Sequence, residues 1–185
     1  MKRRSLKLND VPSWPELVKA WNRLKRREKL RNVVLWGLLQ FTGIRLGEAL
    51  SLCISDIDFQ RDTIKIRQEK KRGEFIREVI VPEELLLLIR NYVRSLGLKK
   101  TDKLFNISDR MAREVIYRLS ERYLGRRIRP HALRHAYAMR ILSRTRNLEY
   151  VRRLLGHSDY STLKAYLDYT IEDIREEILE ALSAY

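Results

Sequence analysis

Three short stretches of the sequence hold side chains that core packing does not require. In Thr42-Gly43-Ile44-Arg45-Leu46-Gly47-Glu48, a glycine turn sets an arginine at the start of a helix, with a carboxylate three residues later on the same face. Glu48 can hold Arg45 in position, or the two can form a surface ion pair with no further role. In Pro130-His131-Ala132-Leu133-Arg134-His135, a helix starting at Pro130 presents His131 and Arg134 on one face and turns Leu133 to the core. His131 and His135 have the spacing of zinc ligands, but the glutamate of HExxH is missing and only His157 remains as a third histidine, so no metal is assigned. A histidine packed against a helix N-terminus is the structural alternative. In the third stretch, Leu154 to Tyr166, His157 follows a helix-terminating glycine and Tyr166 lies in a fresh helical segment capped by Ser161, with Tyr160 and Tyr169 as competing tyrosines.

These side-chain types suit phosphoryl transfer to a tyrosine. A phenol with a pKa near 10 is a weak nucleophile at neutral pH, so it needs a proton acceptor and a fixed positive charge where negative charge develops. Attack on a DNA phosphate loads charge onto the nonbridging oxygens, which Arg45 and Arg134 can clamp while His131 or His157 donates further bonds. The leaving oxygen needs a proton, and a lysine on a hairpin can deliver it as general acid. Such a set requires neither a metal nor a cofactor.

Composition points the same way. The chain has 185 residues, and 39 Lys plus Arg against 24 Asp plus Glu leave a formal charge of +15, more than solubility needs. Nucleic acid is the leading partner class. Between Arg110 and Arg134 there are eight arginines, Arg129 among them, against Glu114 and Glu121, and a guanidinium fork suits phosphate oxygens. Asp168 to Glu180 is acidic instead. The single cysteine, Cys53, excludes an intrachain disulfide and a cysteine-rich zinc module. No apolar run approaches the ~20 residues of a membrane span and no signal-peptide core follows the basic start, so the expected compartment is the cytoplasm, with no membrane partner.

The elements that must position these residues are mostly helical. Ser13 and Glu16 form a capping box, followed by a stripe of Leu17, Val18, Trp21 and Leu24. The basic run from Lys19 to Arg31 that overlaps it reads equally as a DNA-facing surface or a solvated helix face. A helix from Leu30 to Phe41 is apolar on most sides and predicted to be buried, Gly43 stops it, and a short helix from Leu46 to Leu52 follows. From Thr63 the period changes to two: Ile64 and Ile66 alternate with Lys65 and Arg67, and Ile76 to Val81 reads as the partner strand of a hairpin. Its tip, Gln68 to Glu74, carries Lys70, Lys71 and Arg72. Helices are then predicted over Glu83 to Ser95, Ser108 to Leu124, His131 to Ser143, Leu148 to Leu155, and from Ile171 onward. The fold class is therefore α+β, mainly helical with a small antiparallel β-hairpin or sheet.

Taken together, TGIRLGEAL, HALRH and LLGHSDYSTLKAYLDY resemble the first-arginine box, the His-x-x-Arg box and the Gly-His segment with its tyrosine nucleophile in the tyrosine recombinase (phage integrase) family. The resemblance runs from about Leu30 to Tyr169. It implies the tyrosine recombinase catalytic-domain fold and a site-specific DNA recombinase or integrase that works through a covalent 3′-phosphotyrosine. Arg45, His131, Arg134, His157 and Tyr166 would be its catalytic residues, with Glu48 in the acidic supporting position. The family's hairpin-tip lysine falls on Lys70 by its offset from the strand, with Lys71 as the neighbouring candidate; Lys71, Arg72 and Arg129 are read as DNA-binding. The implied domains are a basic lead over residues 1–12, the catalytic domain over 13–170, and a C-terminal helix over 171–185 available to pack on a neighbouring protomer. A homo-oligomer on double-stranded DNA, a tetramer in the synaptic complex, is the implied assembly. Family members usually carry a helical domain ahead of the catalytic one, so this chain reads as a catalytic-domain fragment or a short member. The competing functions are type IB topoisomerase-like relaxation and a basic helical DNA-binding module without chemistry.

Overall fold

The structure is a computed structural model that describes residues 11–70 and 73–156, with 68–70 and 73–75 described as backbone only. The described residues divide into two compact units, the boundary falling between Tyr137 and Ala138. In the first unit the helices are α1 (Trp14–Arg27), α2 (Leu30–Thr42), α3 (Leu46–Ser51), α4 (Glu83–Leu96), α5 (Asp109–Leu124) and the start of α6 (Pro130–Thr145). Three strands, β1 (Ile57–Asp58), β2 (Thr63–Lys70) and β3 (Gly73–Ile80), form an antiparallel sheet in the order β1-β2-β3. The second unit holds the rest of α6 and α7 (Leu148–Leu155), which Asn147 caps through its side-chain oxygen and Gly156 ends in a left-handed conformation. No described helix is long and apolar enough to cross a membrane.

Local signals account for most of these boundaries. The Ser13 hydroxyl accepts from the Glu16 N–H while the Glu16 carboxylate accepts from the Ser13 N–H at 2.8 Å, so the capping box closes at α1. The buried face of α1 is Leu17, Ala20, Trp21 and Leu24, whereas Val18, expected in that stripe, turns outward. Ala20 takes its place because i+3 and i+4 from Leu17 are Ala20 and Trp21, while Val18 lies 100° around the helix. As expected from its composition, α2 is buried on nearly every side. It packs against α1, α3 and α4, and Phe41 sits edge-on to both Trp14 and Trp21. Trp21 also donates from its indole nitrogen to Glu84 at 3.0 Å, tying α1 to α4.

Two features of the sheet differ from the sequence expectation. The tip predicted over Gln68 to Glu74 is shorter, because the ladder continues to a Lys70–Gly73 pairing. β1 is an added edge strand, paired through Ile57 and Ile64; at two residues it is too short for any hydrophobic period to announce it. The alternation in β2 holds, with Ile64 and Ile66 buried and Lys65 and Arg67 exposed. In β3 the buried parity is Arg77 and Val79, and Ile76 and Ile80 face outward at 51% and 69% exposure.

Candidate active site

The cleft is built from the turn that ends α2. Gly43 adopts φ 63°, and a Cβ there would meet the Tyr137 ring at 2.3 Å, so both backbone and space call for glycine. Tyr137 is buried against this turn, and burial pushes its hydroxyl pKa up to about 12. The turn leaves the Gly43 carbonyl pointing at α6, where Arg134 Nη1 donates to it at 2.7 Å. Pro130 opens α6; its ring matches the φ of a first helical turn and its missing N–H is no loss there. Four residues on, Arg134 is 1% exposed, a guanidinium almost wholly withdrawn from bulk water, and Leu133 faces the core as predicted.

Immediately after the turn, Arg45 is the N-cap of α3 and Glu48 reaches back to it. The Arg45 N–H donates to Glu48 Oε2 at 2.8 Å and Arg45 Nη1 donates to Oε1 at 2.8 Å. This bears out the expected contact but not the picture of a surface pair, since Glu48 is only 9% exposed while the Arg45 side chain keeps 43%. A residue that the sequence reading passed over explains the burial. Arg77, from the centre of β3, donates through Nη2 to Glu48 Oε2 at 2.7 Å and through Nη1 to Oε1 at 3.3 Å. The available signal was strand parity: in a period of two, Arg77 shares its face with Val79 and Val81 and therefore points into the molecule.

Arg45, Glu48, His131 and Arg134 line one cleft of about 660 Å³, whose far wall carries Asp109 and Arg113 of α5. His131 stands at the exposed rim and meets His135 edge-on at 4.7 Å between ring centres. Desolvation by the cleft walls lowers the His131 pKa below 6.5, and the Arg134 and Arg45 charges push the same way. The ring is therefore neutral at neutral pH, with one nitrogen to donate and one to accept. Arg113 is held by Asp109 one helical turn away. Two guanidiniums and a neutral imidazole around one opening can receive an anion and exchange a proton with it. Among the described residues no cluster of three His, Cys, Asp or Glu side chains is placed to hold a metal ion.

Of the remaining sequence candidates, Lys70 is described only as backbone, at the last rung of the β2–β3 ladder. Arg129 is exposed in the segment directly before α6. Lys71, Arg72, His157 and Tyr166, with the competing Tyr160 and Tyr169, lie outside the described residues, as does the predicted helix from Ile171.

Comparison with known proteins bears on this arrangement. The model of the phage integrase family matches residues 12–172. Tyrosine recombinase XerA of Saccharolobus solfataricus is 33% identical over 184 residues, covering 100% of this chain and 60% of that protein. XerA of Pyrococcus furiosus is 31% identical over 166 residues, 84% of this chain and 56% of that protein. The chain thus spans about half to three-fifths of the length of these curated relatives. Among solved structures, XerA recombinase superposes with a TM-score of 0.79 at 24% identity, over 99% of this chain and 68% of that one. XerH site-specific recombinase in a pre-cleavage complex with its difH substrate gives 0.75 at 25% identity, over 87% of this chain and 51% of that one.

Proposed function

The chain belongs to the phage integrase family of tyrosine recombinases, and from that premise we propose that it cleaves and rejoins DNA strands at specific sites through a covalent 3′-phosphotyrosine. The observation that carries the proposal is the meeting of Arg45 and Arg134, 89 positions apart in sequence (134 minus 45), in one cleft that His131 also lines.

In this reading the scissile phosphate enters the cleft and its nonbridging oxygens accept bonds from Arg45 and Arg134. The Tyr166 oxygen attacks phosphorus, its proton passes to His131, and the bond from phosphorus to the 5′ oxygen breaks. Lys70 protonates that leaving oxygen, and His157 donates to the phosphoryl group. The bond to Tyr166 retains the phosphodiester energy, so a 5′ hydroxyl from another strand can reverse the step with no external energy source. Arg134, buried in a poorly screened environment, stabilises the added charge more than an exposed cation would. Lys71, Arg72 and Arg129 would hold flanking phosphates, which position the duplex without reading its sequence. Strand exchange between two sites calls for four protomers on two duplexes, with the segment from 171 onward available to bridge neighbours.

A nicked suicide duplex, from which the cleaved strand diffuses away, tests the proposal. Wild type should accumulate a denaturant-resistant protein–DNA adduct in the presence of EDTA, and Tyr166→Phe should form none while binding DNA as before. Adduct in Tyr166→Phe, lost instead in Tyr160→Phe or Tyr169→Phe, would move the nucleophile. Binding without any adduct would leave a DNA-binding module, and relaxation of supercoils without strand exchange would leave a topoisomerase.

A further inference from the structure

A guanidinium is costly to bury, and one that lies inside a protein is held there by an anion or by hydrogen-bond acceptors. Arg77 is such a group: its side chain is 4% exposed, it sits opposite Ile66 in the β2–β3 ladder, and it grips Glu48 as a fork. Glu48 simultaneously accepts from Arg45 through both of its oxygens. Among the described residues two guanidiniums therefore share one carboxylate, and these three groups together carry a charge of +1. The same contact joins the hairpin to α3.

The arithmetic changes when Arg77 is removed. Glu48 and Arg45 alone sum to zero, and a lone carboxylate and guanidinium favour a bidentate pair in which both forks face each other. An Arg45 so engaged would turn toward Glu48 and offer a phosphate little net attraction. With Arg77 present, the side chain of Arg45 gives Glu48 a single Nη1 bond and keeps its remaining surface in the cleft.

We infer that Arg77 is a positioning residue for strand cleavage: by sharing Glu48, it leaves the charge of Arg45 incompletely compensated and turned to the scissile phosphate. This rests on the reading of Arg45 as a phosphate clamp. Arg77 is itself too buried to touch DNA.

The test uses the full chain on the nicked suicide duplex, with the adduct rate measured at saturating protein, the Kd for the same duplex measured separately, and the melting temperature of every variant recorded. Arg77→Met should slow adduct formation by roughly tenfold to a hundredfold, short of the 10²–10³ lost with a transition-state donor outright, and should change Kd by less than about threefold. The double variant Arg77→Met with Glu48→Gln should recover about tenfold of that rate, because Arg45 regains its own uncompensated charge and the amide oxygen still accepts its bond. A structural role alone ties the rate to the melting temperature, so a double variant that recovers no rate, or recovers it only in step with a recovered melting temperature, overturns the inference. Should Arg77→Met fail to fold, Arg77→Lys decides: it keeps the charge without the fork, so its rate should stay within about fivefold of wild type even as its melting temperature falls. A folded Arg77→Lys slowed as much as Arg45→Ala would overturn the inference. Arg77→Met at the wild-type rate would do so too while leaving the recombinase reading intact, whereas a wild-type chain that forms no adduct removes that reading and the inference together.

Discussion

Around α1 and α5, arginines just beyond the end of α5 meet carboxylates at the molecular surface. Arg126 reaches Glu16 at 2.7 Å and Arg127 reaches Glu114 at 3.5 Å, with the arginine side chains 37% and 54% exposed and their carboxylate partners 41% and 63%. Around the cleft the same residue type is held differently. Arg134 is 1% exposed on a backbone carbonyl, and Arg77 shares a sheltered carboxylate with Arg45. Surface pairs of the first kind contribute about 0–1 kcal/mol each, because water screens them and ordering two long side chains offsets the attraction. In the cleft the screening is weaker, so position and net charge decide what each guanidinium does. The two regions are alike in composition, so the number of arginines in a segment does not locate a site. What separates them is whether the neighbouring groups leave charge over and where that charge is aimed. The basic run of α1 illustrates this: Lys25 pairs with Glu84, Arg23 lies 5.6 Å over the Tyr123 ring, and Glu28, 6% exposed, draws Arg122 from α5. Much of that run is engaged within the molecule.

The sharpest way to break this contrast is Arg134→Ala. Loss of a buried oxyanion donor should lower the adduct rate at saturating protein by two or more orders of magnitude, equivalent to about 3 to 4 kcal/mol. Retention of most of the rate would place Arg134 with the α1–α5 arginines as a structural cation.

A smaller effect is expected from Glu16→Gln, which keeps the cap acceptor and deletes the charge. The Arg126 hydrogen bonds hold the Glu16 pKa down at about 2 against an ordinary 4.5, despite an opposing desolvation. A carboxylate with a depressed folded-state pKa contributes stability that is fully present above pH 4.5 and is lost as pH falls through 2. Wild type should therefore melt above the variant at pH 7 and converge with it near pH 2. Because the side chains are 41% and 37% exposed, the difference at pH 7 should stay under about 1 kcal/mol. A gap that persists undiminished at pH 2 would show that the substitution acts through packing.

Arg127→Ala should do least, since both it and its Glu114 partner are more than half exposed. Its adduct rate at saturating protein should match wild type, and any change should appear only as a shallower salt dependence of DNA binding, by about 0.9 in slope if the side chain meets a phosphate. A tenfold fall in rate would erase the distinction between the two regions.

Within one helical turn or one strand repeat, the sequence alone carried most of the structure, Val18 being an exception. The Ser13–Glu16 box, the glycine stops at 43, 97, 125 and 156, the Arg45–Glu48 contact, the inward Leu133 and the alternation of Ile64 and Ile66 all depend on neighbours a few residues away, whose geometry the backbone period sets. Reading His157 and Tyr166 as catalytic rests on that same local level, in the segment LLGHSDYSTLKAYLDY. Tertiary structure decided the rest of the site. Arg134 meets the Gly43 carbonyl across 91 positions, and Arg77 meets Glu48 across 29. Glu48 thereby becomes the shared partner of two arginines and not half of a surface pair. No spacing rule reaches that far, because such pairs exist only once α2, α3, β3 and α6 have packed, and it is packing that withdraws a charge from water and so changes what it can do.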